Sequence, residues 1–303
     1  MTLHIAYDDR LLGWKLGQGH PTDPIRAKLA TDLLVKRVGA VVTPISGLAS
    51  RDALVSIHDA GYVDLLVDGF NGEWDGQRKD LGRVARLMFQ GTADLVEEMV
   101  RGNVRYGFSP QGAKHHAQWD HGSGFCTLND FAWAAQRFAS AGARVAYFDT
   151  DAHHGDGVEN LTRANPNVLT ISIHDSAIFP GTGREHDRAN RVFNYALPAE
   201  SGDRELLHAV IEAKKELERF APDVLLFAVG GDGFADDPLS TLQYSYTGYR
   251  TVARSIGLFA GTLGLPILFG GAGGYLPRTH TPRVWATVVE ETYRMAENAC
   301  TRS

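Results

Sequence analysis

The sequence predicts an α/β protein built on a single doubly wound, mostly parallel sheet flanked by helices, and three observations carry that prediction. Short apolar runs alternate with longer stretches of helical periodicity, the pattern that β-α units leave in a sequence. Polar, glycine-rich clusters follow the apolar runs at their carboxyl ends, the edge where parallel sheets gather their functional groups. A chain of 303 residues at 44% hydrophobic content, with no linker, repeat, low-complexity tract or composition break, can bury one large core and reads as one domain over 1–303.

Taken in order, Pro24 to Lys36 reads as a helix that stops at Gly39, a residue suited to the left-handed position after a helix. Val41 to Thr43 is a short strand. Arg83 to Val100 and Asn129 to Ala141 read as helices, and Ala143 to Tyr147 is an apolar run bounded by turn signals, hence a buried strand. A helix over Asp203 to Phe220 precedes a strand over Val224 to Val229. A helix over Tyr249 to Leu263 precedes a strand over Pro266 to Phe269. Thr281 followed by Pro282 opens a last helix through Ala299, with Thr281 as its cap.

Composition narrows the function. A net charge of −6 leaves no basic footprint for nucleic acid. No run reaches membrane-spanning length, and Met1 to Ile5 lacks the basic and apolar regions of a signal peptide. Two cysteines, Cys126 and Cys300, make no disulfide framework, so a cytoplasmic location is expected.

The chemistry concentrates in Asp149-Thr150-Asp151-Ala152-His153-His154-Gly155-Asp156-Gly157, just past the strand ending near Tyr147. Alternation along a strand would aim Asp149, Asp151 and His153 to one side. Two carboxylates that close repel unless a cation sits between them. Asp and His together suit zinc, and also Mn²⁺, Co²⁺ or Fe²⁺. Further clusters are the His115-His116 pair, Gly122 to Asp130, Gly230 to Leu239, and Gly270 to Tyr275.

The order His-His-Ala, Gly-Phe-Cys-x-x-Asn-Asp, Asp-x-Asp-x-His-His-Gly-Asp-Gly, Asp-Pro-Leu and Gly-Gly-Tyr resembles the histone deacetylase superfamily, from about Gly19 to Trp285. That superfamily comprises metal-dependent amidohydrolases on the arginase-deacetylase fold and includes bacterial acetoin-utilisation proteins and acetylpolyamine amidohydrolases. The resemblance implies Asp151, His153 and Asp237 as metal ligands. It implies His116 as general base then general acid, with His115 mainly electrostatic. Asp149 would orient His115, and Asp156 would orient His116. Tyr275 would stabilise the oxyanion. Phe125 and Phe179, with Gly124, would wall a narrow substrate channel, and Tyr244 would stand at its rim. A structural potassium ion would lie among Asp149, Asp151, His153, Ser172 and Ile173. Arg26 would line an internal cavity through which acetate leaves.

Some positions depart from the pattern. Phe234 and Leu276 replace smaller or polar residues and bear on substrate fit. The acid that grips substrate at the rim has no firm match; Asp75 and Asp80 are candidates. Tyr244, where polyamine-specific relatives carry an acid, speaks against a polyamine. The expected reaction is removal of an acetyl or other acyl group from an N-acylated amine: acetyl-lysine in protein, an acetylpolyamine or a small metabolite. Neither nucleic acid nor membrane is an expected partner. An arginase-like ureohydrolase with two metals, and a silent metal-stabilised regulator, are the alternatives.

Overall fold

The computed structural model describes residues 1–300. Eight strands form one sheet: β1 (Leu3–Ala6), β2 (Val41–Thr43), β3 (Tyr106–Ser109), β4 (Val145–Asp149), β5 (Val168–Asp175), β6 (Val192–Leu197), β7 (Val224–Val229) and β8 (Ile267–Gly271). Their spatial order is β2-β1-β3-β8-β7-β4-β5-β6, and every neighbouring pair is parallel. The last two strands of the chain thus insert between β3 and β4 and complete the middle of the sheet.

Helices α1 (Ile25–Val38), α2 (Arg51–Val55), α3 (Ala60–Val67), α4 (Lys79–Val100), α5 (Asp130–Ser140), α6 (Asp156–Thr162), α7 (Asp203–Phe220), α8 (Tyr246–Thr262) and α9 (Thr281–Cys300) pack around it. Every residue of β3, β4, β5, β7 and β8 is buried. Strands covered on both faces need no polar side, which is why β4, β7 and β8 read as unbroken apolar runs. No helix among the described residues is long and apolar enough to cross a membrane.

Most expected elements are present, with informative shifts. Gly39 ends α1 at φ +64 with its N–H on Val35 O, as a left-handed terminal residue should. α8 starts three residues before the expected Tyr249 because the Ser245 hydroxyl accepts from the Thr247 and Gly248 N–H groups. Thr281 does not cap α9: its hydroxyl accepts from Leu276 N–H, and His280 O takes the Val284 N–H. Strands β1, β3 and β6 and helices α2, α3 and α6 are additional to the sequence expectation.

Candidate active site

Parallel registration lines up the carboxyl ends of the central strands. Ser109 pairs with Gly270, Gly270 with Ala228, Ala228 with Asp149, and Asp149 with Ser172. Strands β3, β4, β7 and β8 end at or one residue past this row and run into the loops that carry the polar clusters, so residues as far apart in the chain as Ser109 and Gly270 meet at one edge.

Strand alternation does not deliver Asp151 and His153, because β4 stops at Asp149. The i, i+2 spacing is kept by successive side-chain turns instead. Asp149 Oδ1 accepts from Asp151 N–H at 2.9 Å, and Asp151 Oδ1 accepts from His153 N–H at 3.0 Å. The other oxygen of Asp149 faces away from His153, toward His115 Nδ1 at 2.8 Å and the Tyr147 hydroxyl at 2.5 Å.

Asp151, His153 and Asp232 form a buried group whose potential ligand atoms lie within 4.8 Å of one another. Asp232 is new relative to the sequence reading, although it lies in the same glycine-rich cluster as Asp237. Its Oδ2 is 3.0 Å from His153 Nδ1, and its Oδ1 accepts from Ala152 N–H at 2.9 Å. Asp237 borders the group, with Oδ1 on Leu239 N–H at 3.1 Å and Oδ2 on Tyr275 N–H at 2.7 Å.

Burial, then the charge of Asp151, pushes Asp232 up to about 7. Burial, with a further push from Asp151, raises Asp237 to about 6. Three carboxylates crowd one buried imidazole, and the Asp151–His153–Asp232 group could hold a metal ion that offsets their mutual repulsion. An all-oxygen-and-nitrogen donor set fits a divalent ion of the zinc, manganese, cobalt or ferrous class.

The paired histidines occupy contrasting environments although their ring centres are 4.0 Å apart. Burial disfavours charge on both. In His115 the Asp149 and Asp151 carboxylates outweigh that penalty and raise it to about 9. In His116 burial and the neighbouring His115 charge prevail, lowering it to about 3 despite Asp156. His116 Nδ1 lies 2.7 Å from Asp156 Oδ1, whose other oxygen accepts from Gln118 Nε2 at 3.0 Å.

A channel of about 410 Å³ descends to this group, lined by Glu73, His116, Gly124, Phe125, His153, Ile178, Phe179, Leu239 and Tyr275. The Tyr275 ring stands 6.2 Å from that of His153 and 6.1 Å from that of Phe125. Burial holds its phenol well above the usual range, so it remains a hydrogen-bond donor.

Tyr244 does not reach the rim: it is fully buried, against Tyr249 and behind Gly233. Leu239 fronts the channel on that side, so the residue at 244 says nothing about a polyamine. Asp75 and Asp80 are exposed and absent from the lining, and Asp80 is bound to Arg78. The acid at the mouth is Glu73.

Behind the site lies a small cavity lined by Arg26, Lys114, Cys126, His115, His116 and Tyr275 among others. Arg26 donates to Gly274 O at 2.5 Å and lies 5.0 Å from the Trp285 ring. Lys114 places a second buried cation there, and burial lowers both it and Arg26 from their ordinary values. Phe234 points elsewhere, stacking on His280 at 4.4 Å. Ser172 sits beside Asp149 on the neighbouring strand, with Oγ 3.0 Å from His174 Nδ1, and Ile173 follows it along the strand.

The chain is similar to known proteins over most of its length. The histone deacetylase domain matches residues 20–292. The acetoin utilization protein AcuC of Staphylococcus aureus is 32% identical over 93% of this chain and 79% of its own length. AcuC of Bacillus subtilis is 33% identical over 89% and 77%. Histone deacetylase clr6 of Schizosaccharomyces pombe is 28% identical over 92% and 74%. In fold, the chain resembles an acetylpolyamine aminohydrolase from Burkholderia pseudomallei, with a TM-score of 0.80 at 23% identity, covering 97% of this chain and 99% of the other.

Proposed function

The chain belongs to the histone deacetylase family and is a hydrolytic deacetylase, and from that premise we propose that one catalytic domain over 1–303 removes the acetyl group from an N-acetylated amine such as acetyl-lysine. The observation that carries the reading is the juxtaposition of two His–Asp pairs, at 2.8 and 2.7 Å, with a buried Asp–His–Asp group and a phenol across the channel.

In this proposal Asp151, His153 and Asp237 would hold a divalent ion, zinc or one of Fe²⁺, Co²⁺ and Mn²⁺, and Asp232, which accepts the Ala152 N–H, would fix the backbone between two of those ligands. The ion supplies Lewis acidity that polarises the acyl carbonyl and acidifies the attacking water. His116, neutral, takes the water's proton and later delivers it to the leaving amine. His115, held positive by Asp149 and Asp151, stabilises negative charge as it develops. Tyr275 donates its hydroxyl hydrogen to the oxyanion. Phe125 and Phe179 flank the aliphatic stem and keep water from it, while Arg26 and Lys114 receive the departing carboxylate.

A potassium ion among Asp149, Asp151, His153, Ser172 and Ile173 belongs to the same proposal, supported by the pairing of Asp149 with Ser172. A cytoplasmic location fits a sequence whose two cysteines, Cys126 and Cys300, make no disulfide framework.

The test is a substrate panel with purified, metal-loaded protein: acyl-lysine peptides, acetylpolyamines and simple N-acetyl amines. Acetyl-lysine turnover with release of acetate is expected. Turnover confined to acetylpolyamines would replace the substrate, and hydrolysis of a guanidino compound would replace the reaction class.

A further inference from the structure

The loop between α3 and α4 reaches over to the channel mouth and hydrogen-bonds to it through Glu73. Glu73 Oε2 accepts the Phe125 N–H at 2.5 Å. Gly124 and Phe125 both have positive φ, +54 and +64. They are the two central residues of a tight turn closed by reciprocal backbone hydrogen bonds between Ser123 and Cys126, at 2.9 and 2.8 Å. Turns of that hand favour glycine or asparagine at both centres, so a phenylalanine there is held against its own preference. The turn cannot relax inward at Gly124, where a Cβ would meet the His116 ring at 2.5 Å.

The strap that carries Glu73 is itself tied down. Glu73 N–H donates to Asn71 Oδ1 at 3.0 Å, and Asn71 Nδ2 donates to the Tyr62 hydroxyl at 2.8 Å. Tyr62 in turn donates to Thr127 O at 2.5 Å, on the far side of the same turn. The circuit from Phe125 through Glu73, Asn71 and Tyr62 to Thr127 closes on itself, and Trp74 anchors its base with Nε1 on Gly69 O at 3.0 Å. What the circuit fixes is the Phe125 ring, which packs 4.5 Å from His20 and 6.1 Å from Tyr275.

We propose that Glu73 is a positioning residue that sets the width of the substrate channel by clamping the Phe125 backbone, so that recognition of an aliphatic stem depends on a carboxylate that need not touch the substrate. The consequence for kinetics rests on the deacetylase reading; the clamp itself does not. Glu73→Ala removes the acceptor, whereas Glu73→Gln removes the charge but keeps a carbonyl oxygen for the Phe125 N–H.

Hydrogen exchange of the peptide spanning Ser123 to Thr127, followed by mass spectrometry on the full chain, reads the clamp. Exchange is expected to speed up in E73A and to stay near wild type in E73Q. In steady-state assays E73A should raise KM for an acyl-lysine substrate by up to about tenfold, the scale of one lost hydrogen bond. Its kcat should barely move, and E73Q should recover most of the loss. A stemless N-acetyl amine should not distinguish the three proteins.

Unchanged exchange in E73A would overturn the proposal. So would an E73Q as impaired as E73A, since the charge would then be acting on substrate directly. If the wild type cleaves no acylated amine, the substrate reading falls and the exchange measurement alone still decides the role of Glu73.

Discussion

His116 Nδ1 and Asp156 Oδ1 stand 2.7 Å apart, across a junction between the loop after β3 and the first turn of α6. The contact leaves the other ring nitrogen of His116 directed to the channel that His116 lines. Everything proposed about proton transfer depends on that orientation.

Its pH dependence follows. Burial and the charge on His115 lower His116 to about 3 from the usual 6.5, so it stays neutral and able to accept a proton across the neutral range. The acid limb of kcat/KM is therefore expected below pH 6.5, not at it. Asp156 works in the opposite direction, raising His116, so Asp156→Asn should weaken the base and move the limb further toward acid. His116→Ala should lower kcat by about 10²–10⁴-fold, and His115→Ala by less. Wild-type kcat in H116A on an unactivated acetamide would remove the assignment.

Tyr275→Phe keeps the ring and deletes the hydroxyl. Losing one preorganised oxyanion donor costs on the order of 10²–10³ in kcat, about 2.7–4 kcal/mol. Binding of substrate should survive because the channel walls remain. Abolished binding with unchanged single-turnover chemistry would make the phenol a binding group.

The two candidate carboxylates can be separated by metal content. Asp237→Ala is expected to lose the ion and nearly all turnover. Asp232→Ala should lose roughly 10–100-fold in metal affinity, as removal of a group that holds the ligands in place does, since Asp232 accepts the Ala152 N–H between Asp151 and His153. Measured stoichiometry in the reverse order would place the ion on Asp151, His153 and Asp232.

His58 yields a stability prediction. Fully buried, it sits 2.8 Å from Gln118 O through Nδ1 and accepts from Asn129 N–H at 2.9 Å through Nε2, tying together both sides of the histidine loop. Burial lowers it to about 4 from 6.5. The unfolded chain then binds the proton more readily than the folded one, so stability is intact above pH 6.5. It declines as pH falls from 6.5 to about 4, by about 3 kcal/mol if His58 acted alone. Denaturant melts of wild type and His58→Gln across that window check it: the variant should be less stable at neutral pH and lose less on acidification.

Legibility in the sequence tracked locality. β4, β7 and β8 are continuous apolar runs because both faces are covered, and such runs stand out. β3, only Tyr106–Ser109 with a glycine inside it, and β1 are too short to show a period, and only their neighbours make them strands. The His115–Asp149 and His116–Asp156 pairs were implied by the family resemblance, since the two histidines share one cluster, the two aspartates share another, and spacing alone does not say which meets which. Asp232 could not be told from Asp237 by spacing, because which carboxylate faces His153 is decided by how the loop after β7 passes under Asp151. Tyr244 was misplaced for the converse reason: nearness to Asp237 along the chain does not bring it to the channel when Gly233 lets the ring pack inward. Glu73 left no local signal, being set by a loop that closes on a distant turn.

The central claim is metal-dependent hydrolysis at a single-ion site, and a metal titration tests it most directly. Protein stripped by a chelator and titrated with Zn²⁺ should regain acetyl-lysine hydrolysis in proportion to bound metal, reaching a plateau at one ion per chain. Full activity in the stripped protein, or a plateau only at two ions per chain, would contradict it.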